Sequence, residues 1–313
     1  MCGQHIFVMR YRRGMKTLLV TAPMPEGYFS HAIRALDPDI DLIEHDPALS
    51  DAQLAEVDAV LAWQLPKGLV PRLPRLKWIC AVSAGVDKLL APDLPPQVMV
   101  SRIVDTEQAH GIAQFVVLMA LRHARQLSLY EAQQQRHEWK RQPVAAVRSR
   151  VVVLGMGAMG SVVAQLLTQV GFDVRGWSRR SGETFAEVLH DAEIVVCALP
   201  LTAQTNGLLD ARAFASMPRG AYLINIARGA HVVEGDLIDA VRSGHLAGAA
   251  LDVQRHEPMS ADDALWDVPG ITITPHIGAQ SSPQTIASQF TAGLRCVERG
   301  ETPPNTIDRT RGY

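Results

Sequence analysis

The chain has 313 residues, 47% of them hydrophobic, enough for one or two well-packed domains. Its formal net charge of −2 gives no electrostatic case for nucleic acid or a membrane surface. Four cysteines, Cys2, Cys80, Cys197 and Cys296, lie far apart with no CxxC or ligand spacing, so reduced thiols, no metal and a cytoplasmic compartment are expected.

The N-terminal apolar run, Ile6 to Met9, is too short for a signal peptide, and the residues before Met15 read as a floppy extension or a misassigned start. No run reaches the roughly 18 apolar residues of a membrane span. Strands are expected at 17–21, 40–43, 59–62, 78–82 and 98–101, separated by Pro- and Gly-containing turns. None of these is followed by a GxGxxG loop. A long helix is expected over 107–139, apolar at 115–121 and polar from Gln133 to Arg136, joining two domains. A loop over 141–150 leads to further strands at 151–154, 173–177, 194–198, 222–225, 248–252 and 271–274. A last helix, 283–299, carries Ile286, Phe290, Leu294 and Val297 at helical spacing and returns to the first domain. Strands alternating with helices argue an α/β class with parallel sheets. The expected division is 1–106 with 284–313 against 107–283.

The run Val151–Leu154 precedes Gly155-Met156-Gly157-Ala158-Met159-Gly160, and a helical pattern follows. A GxGxxG alone is weak, but strand before and helix after is the context of dinucleotide binding. Gly155 permits the tight turn, Gly157 lets the backbone approach a pyrophosphate, and Gly160 allows close helix–strand packing. The helix N-terminus then faces phosphate charge. The alternative is a glycine turn needed only for packing. The next strand ends at Ser178-Arg179-Arg180, where an NAD-binding protein tends to carry a carboxylate for the ribose 2′-hydroxyl. A carboxylate there repels a 2′-phosphate, whereas Ser-Arg-Arg can bind one, so NADPH is the expected cofactor and NAD a possible one. The arginines also fit a solvated strand end.

Three polar residues follow short β-like runs downstream: Arg228, Glu257 and His276. Residues just past the carboxyl ends of strands in an open α/β sheet face the ligand crevice. A cation, a carboxylate and an imidazole delivered there suit reduction of a 2-oxo acid. The cation holds the substrate oxygens, the imidazole carries the proton, and the carboxylate tunes the imidazole. Of eleven histidines, only His276 sits in a Pro-His-x-Gly setting.

The glycine loop, Ala198-Leu199-Pro200-Leu201-Thr202 with Thr205, Asn225-Ile226-Ala227-Arg228-Gly229, and the stretch from Asp252 through Glu257-Pro258 to Pro275-His276-Ile277-Gly278-Ala279 together resemble the D-isomer-specific 2-hydroxyacid dehydrogenases. Trp177-Ser178-Arg179 is similar to their A-type glyoxylate/hydroxypyruvate reductase subgroup. His256 departs from the acidic or small residues expected before Glu257. The resemblance implies a Rossmann cofactor domain, a flavodoxin-like substrate domain and a cleft between them. It implies that Arg228 clamps the substrate carboxylate and carbonyl, that His276 donates the proton, and that Glu257 hydrogen-bonds His276 and favours its charged form. It brings Asp252 near the nicotinamide carboxamide, a position where Asp equally caps a turn. Leu199, Pro200, Thr205, Ala227 and Gly278 join the cofactor contacts. In the first domain it places the substrate carboxylate on Gly85 and Val86 and sets Trp63 in the substrate pocket; a plain strand–helix turn and a core residue are the alternatives. A homodimer is implied.

The expected activity is NADPH-dependent reduction of glyoxylate or hydroxypyruvate to a D-2-hydroxy acid, with no nucleic-acid or membrane partner. Two rivals share the fold: an NAD-linked dehydrogenase of larger D-2-hydroxy acids, and a nucleotide-sensing binding protein like the co-repressors of this fold.

Overall fold

A computed structural model describes residues 14–142 and 149–310. The expected N-terminal extension and most of the loop at 141–150 lie outside the described residues. Contacts divide the chain into two units. One runs to Val104 and resumes at Ser282; the other is Asp105–Ser281.

The first unit holds β1 (Thr17–Val20), β2 (Leu42–Glu44), β3 (Ala59–Ala62), β4 (Trp78–Ala81) and β5 (Met99–Ser101). The sheet order is β2-β1-β3-β4-β5 and every pairing is parallel. This is the flavodoxin-like doubly wound order. β1, β3 and β4 are buried along their whole length, which is why they read as continuous apolar runs. The second strand begins later than the run at 40–43 suggests, because Ile40 closes a turn onto the Asp37 carbonyl. Two short helices, α1 (Ser30–Leu36) and α2 (Asp51–Leu54), connect the strands. A capping box of Ser50 and Gln53 starts α2.

The second unit opens on α3 (Thr106–Ala124), capped by the Asp105 carboxylate, and α4 (Leu127–Gln135). The single long helix expected over 107–139 is therefore two. Gln126 takes a left-handed conformation, φ 54°, which a continuing helix does not admit. Arg122 ties the corner by donating to the Ser128 hydroxyl and the Glu131 carboxylate. Six parallel strands follow: β6 (Arg150–Leu154), β7 (Asp173–Trp177), β8 (Ile194–Cys197), β9 (Ala221–Asn225), β10 (Leu246–Leu251) and β11 (Ile271–Ile273). Their order is β11-β10-β9-β8-β6-β7. The helices α5 (Ala158–Gln169), α6 (Phe185–Leu189), α7 (Ala211–Ser216) and α8 (Glu234–Arg242) link them. The chain steps from β6 out to β7, then crosses back to β8 and onward. That reversal between β6 and β8 is the topological switch point of a Rossmann-type sheet, where ligands bind.

The last helix, α9 (Pro283–Glu298), belongs to the first unit. Ile286, Phe290, Leu294 and Val297 are buried against Leu19, Leu61 and Trp78. Phe290 stacks on Trp78 at 5.1 Å, and a Cβ at Gly293 would sit 2.7 Å from the same indole, so glycine lets the helix close on it. Among the described residues no helix is long and apolar enough to cross a membrane. Cys80 and Cys197 are buried free thiols, pushed up to about 12 by loss of solvation.

Candidate active site

Parallel pairing with level register brings the carboxyl ends of the second unit's strands to one edge. Leu154 pairs with Trp177 and Cys197, Cys197 with Asn225, and Leu251 with Asn225 and Ile273. The loops leaving these positions are the segments singled out in the sequence.

At the switch point, the glycine loop leaves β6. Gly155 has φ 100°, and a Cβ there would lie 2.7 Å from the Ala198 carbonyl after β8. At Gly160 a Cβ would lie 1.8 Å from the Gly155 carbonyl. Both glycines are demanded by the fold itself. Gly157 is not: its φ is −78°, and a Cβ would meet nothing within 4 Å. It caps α5 without a side chain, so the helix's first N–H groups open onto unobstructed space. That is the shape a pyrophosphate needs, and the residues fit one. Met156 lies over Gly176 of β7, where a Cβ would be 2.4 Å from its sulfur. Ala158 and Met159 form the first turn of α5.

Ser178 follows β7 and starts a turn. Its carbonyl accepts from Ser181 N–H at 2.9 Å, and its hydroxyl accepts from Arg180 N–H at 3.3 Å. The Trp177 indole anchors the turn by donating to the Glu183 carbonyl. Arg179 and Arg180 are exposed at its tip. Leu199 and Pro200 follow β8 and are half-buried. Thr205 is buried; its hydroxyl donates to the Pro200 carbonyl at 2.7 Å and accepts from Thr202 N–H at 2.9 Å, so it shapes the loop.

Arg228 follows β9, with extended backbone. Asn225 holds this corner: its amide donates to the Arg228 carbonyl at 2.9 Å and its oxygen accepts from Ala227 N–H at 3.1 Å. The guanidinium donates to the Ala227 carbonyl at 2.7 Å. Gly229 has no alternative residue, since a Cβ would lie 1.9 Å from the Gln254 backbone.

Past β10 and β11 the pair predicted from sequence is brought together. His276 Nδ1 lies 3.1 Å from a Glu257 carboxylate oxygen, with side chains 31% and 24% exposed. The other carboxylate oxygen accepts from Gln254 N–H at 3.2 Å. His276 is itself left-handed, φ 56°, a conformation costing about 1–3 kcal/mol in a non-glycine residue. Buried Asp252 supports it. Its carbonyl accepts from His276 N–H at 2.9 Å. Its carboxylate accepts from the Thr274 hydroxyl at 2.7 Å and from the N–H groups of Ile277 and Gly278 at 2.9 Å each. The ring orientation is thus set by Glu257 and the backbone by Asp252.

This arrangement of loops and strands has counterparts in known proteins. The sequence profile of the D-isomer specific 2-hydroxyacid dehydrogenase NAD-binding domain matches residues 117–278. The chain belongs to this family. It is 37% identical to glyoxylate/hydroxypyruvate reductase A of Serratia proteamaculans over 274 residues, covering 82% of this chain and 88% of that protein. Two solved structures are also similar. A D-isomer-specific 2-hydroxyacid dehydrogenase of Xanthobacter autotrophicus, in complex with NADPH and MES, is 36% identical with TM-score 0.86, covering 96% and 100% of the two chains. An NADPH-dependent glyoxylate/hydroxypyruvate reductase of Sinorhizobium meliloti, in complex with NADP and sulfate, is 30% identical with TM-score 0.87, again over 96% and 100%. The second unit is accordingly the dinucleotide-binding part of an NAD(P)-dependent oxidoreductase.

In the first unit, Trp63 follows β3, with the Lys88 ammonium 5.1 Å over its ring. It packs at the margin of the core rather than inside it. Gly85 and Val86 follow β4; the Ser83 hydroxyl donates to the Gly85 carbonyl at 2.9 Å, and the Val86 side chain is buried. Sequence reasoning missed Asn225, Gln254 and His231, which touch the backbone of the singled-out loops. Asn225 carries a visible signal, a polar residue closing a fully buried strand. Gln254 and His231 carry none: each pairs one main-chain carbonyl three residues away with one 20 or 31 residues away, which no local pattern displays.

Two of the loop glycines separate by experiment. Gly160→Ala forces a methyl into the Gly155 carbonyl and is expected to unfold at clearly lower temperature. Gly157→Ala is expected to lower the melting temperature by only a few degrees, the scale of a weakened helix cap, and to lose NADPH affinity at least ~10-fold, read by fluorescence titration. Wild-type NADPH affinity in Gly157→Ala would remove the pyrophosphate from this loop.

Proposed function

We propose that this chain reduces glyoxylate or hydroxypyruvate to the D-2-hydroxy acid with NADPH. The His276–Glu257 contact at the carboxyl edge carries the reading, with Arg228 in the loop leaving β9, the strand next to β10. The names of the relatives support the substrate class and the cofactor. Bound NADPH supplies a hydride to the carbonyl carbon. Arg228 presents a guanidinium fork that matches the planar carboxylate and carbonyl oxygens and favours negative charge developing on the carbonyl oxygen. His276 delivers a proton to that oxygen from Nε2, because Nδ1 faces Glu257. Glu257 fixes the ring, and Gln254 fixes Glu257. Asp252 keeps the His276 turn in its left-handed form and stands at the position proposed for the nicotinamide carboxamide. Gly155, Gly157 and Gly160 with α5 receive the pyrophosphate, and Leu199, Pro200, Ala227 and Gly278 line the cofactor. The first unit's part in the proposal is the backbone of Gly85 and Val86 for the substrate carboxylate, with Trp63 beside it.

NADPH oxidation with glyoxylate in wild-type protein is the first test; no turnover with any small 2-oxo acid would end the proposal. Given activity, His276→Gln is expected to cut turnover at least ~100-fold with NADPH affinity near normal, the scale of lost acid catalysis. Arg228→Lys is expected to fail as well, since an ammonium lacks the fork. A variant with wild-type kcat/KM for glyoxylate would show that the substituted residue is wrongly assigned.

Cofactor choice rests on the turn after β7. A charge-assisted bond to the 2′-phosphate contributes about 1.5–3 kcal/mol. Arg179→Ala is therefore expected to raise KM for NADPH roughly 10- to 150-fold and leave KM for NADH nearly unchanged. Adding Ser178→Asp supplies an acceptor for a 2′-hydroxyl and a repulsive charge against the phosphate. A wild-type preference for NADH would contradict the assignment.

The homodimer is also a proposal. Leu118 and Leu121 of α3 and Leu127 and Leu129 of α4 are exposed, an apolar surface suited to self-association. Light scattering is expected to give twice the chain mass for wild type and the chain mass for Leu118→Glu. A monomeric wild type would refute it.

A further inference from the structure

His231 is fully buried two positions beyond Gly229, and none of the roles above uses it. Its ring stands between two carbonyl oxygens. Nδ1 lies 3.0 Å from the Arg228 carbonyl and Nε2 lies 3.3 Å from the Pro200 carbonyl. These two carbonyls belong to loops leaving neighbouring strands, β9 and β8. One loop carries the guanidinium assigned to the substrate, and the other carries residues assigned to the cofactor. A carbonyl oxygen only accepts, so each arm of the bridge needs an N–H on the ring. The doubly protonated ring makes both arms hydrogen bonds; a neutral ring donates to one and holds the other by contact.

We propose that His231 is a positioning residue that fixes the register of the Arg228 loop against the Pro200 loop. The inference rests on the reductase reading above and deepens it. Each carbonyl already has a second holder: Asn225 donates to the Arg228 carbonyl and the Thr205 hydroxyl to the Pro200 carbonyl. Each loop therefore keeps its own shape without the imidazole. Main-chain bonds join the two segments further along, from Gly207 N–H to the Ala230 carbonyl, Leu209 N–H to the His231 carbonyl and Val233 N–H to the Leu209 carbonyl; what the His231 ring adds is a side-chain tie at the Arg228 and Pro200 carbonyls themselves. Hydride transfer requires substrate and cofactor within a few tenths of an ångström of the reactive geometry, and small misplacements far from the reacting atoms cost large factors in rate. Loss of the tie should therefore appear in kcat, while cofactor affinity, set by the glycine loop and the turn at Ser178, stays.

Three substitutions separate the arms. The amide of Asn reaches where Nδ1 stands, the amide of Gln reaches where Nε2 stands, and Phe keeps the ring with neither nitrogen. Steady-state kinetics with glyoxylate and NADPH, and NADPH affinity by fluorescence titration, are measured for each. The expected order of kcat is wild type, then His231→Asn and His231→Gln, each down ~3- to 10-fold, then His231→Phe, down at least ~10-fold. NADPH affinity stays within ~3-fold throughout. In an Arg228→Lys background, His231→Phe costs less than ~2-fold more, because the residue it positions is already lost. Wild-type kcat in His231→Asn or His231→Gln overturns the bridge, as does NADPH affinity falling in step with kcat. If His231→Phe does not fold, the Asn and Gln variants decide alone. An inactive wild type instead indicts the reductase reading.

Discussion

Everything at the candidate site depends on one constraint, the level register of a six-stranded parallel sheet. Parallel strands are joined by crossovers, so every strand of the second unit ends at the same edge. Register then fixes how far each chain has travelled when it leaves the sheet. Leu154, Cys197, Asn225, Leu251 and Ile273 stand in one row. The glycine loop, the Pro200 loop, Arg228, Glu257 and His276 all start from that row. A slip of one residue in β10 would carry Asp252 and Gln254 away from the His276 turn, and nothing in the turn itself could restore them.

The row delivers loops, but loops need holding. At this edge most of the holding is done by main-chain atoms meeting buried polar side chains. Asn225 closes the Arg228 corner, Asp252 gathers four hydrogen-bonding groups of the His276 turn, Gln254 steadies Glu257, and Thr205 shapes the Pro200 loop. Three of these holders, Asn225, Asp252 and Gln254, are buried at the ends of strands or just beyond them. A buried polar group without partners is costly, so each makes its loop geometry steeply preferred over alternatives. The left-handed His276 is the clearest consequence. An unsupported histidine would relax to φ below zero, and the ring would leave Glu257.

The strands and the loops were legible because their signals are local. Buried parallel strands are apolar throughout, and a GxGxxG between such a strand and a helix has few other uses. Strand ends were legible to within a residue or two; β2 starts late only because a turn at Asp37 consumes Ile40. The break at Gln126 was not legible. Glutamine is a good helix former, and the turn there is stabilised by Arg122 bonds whose partners the pattern does not reveal. Arg228, Glu257 and His276 were legible by type and by position after strands. Among their supporters, Asp252 and the strand-closing Asn225 carry a signal, whereas a ring that reaches a carbonyl 31 residues away leaves no periodicity behind. His231 is such a case: in sequence it is one of eleven histidines, and only the fold places it against Pro200.

The glycines show how the two kinds of constraint can be told apart. At Gly155, Gly160 and Gly229 an added methyl would collide with the chain's own backbone, so the fold accounts for them fully. At Gly157 the backbone is ordinary and the space is open, so no steric demand calls for glycine. Gly157 is the N-cap of α5, where glycine is a better cap than alanine, so part of the preference belongs to the helix. The absence of any side chain suits something that approaches the helix N-terminus closer than a side chain would allow. A phosphate has that size and charge, and the arginines after β7 suit a second one on the same molecule. The geometry divides the motif's three glycines into two that build the loop and one that leaves room for a ligand.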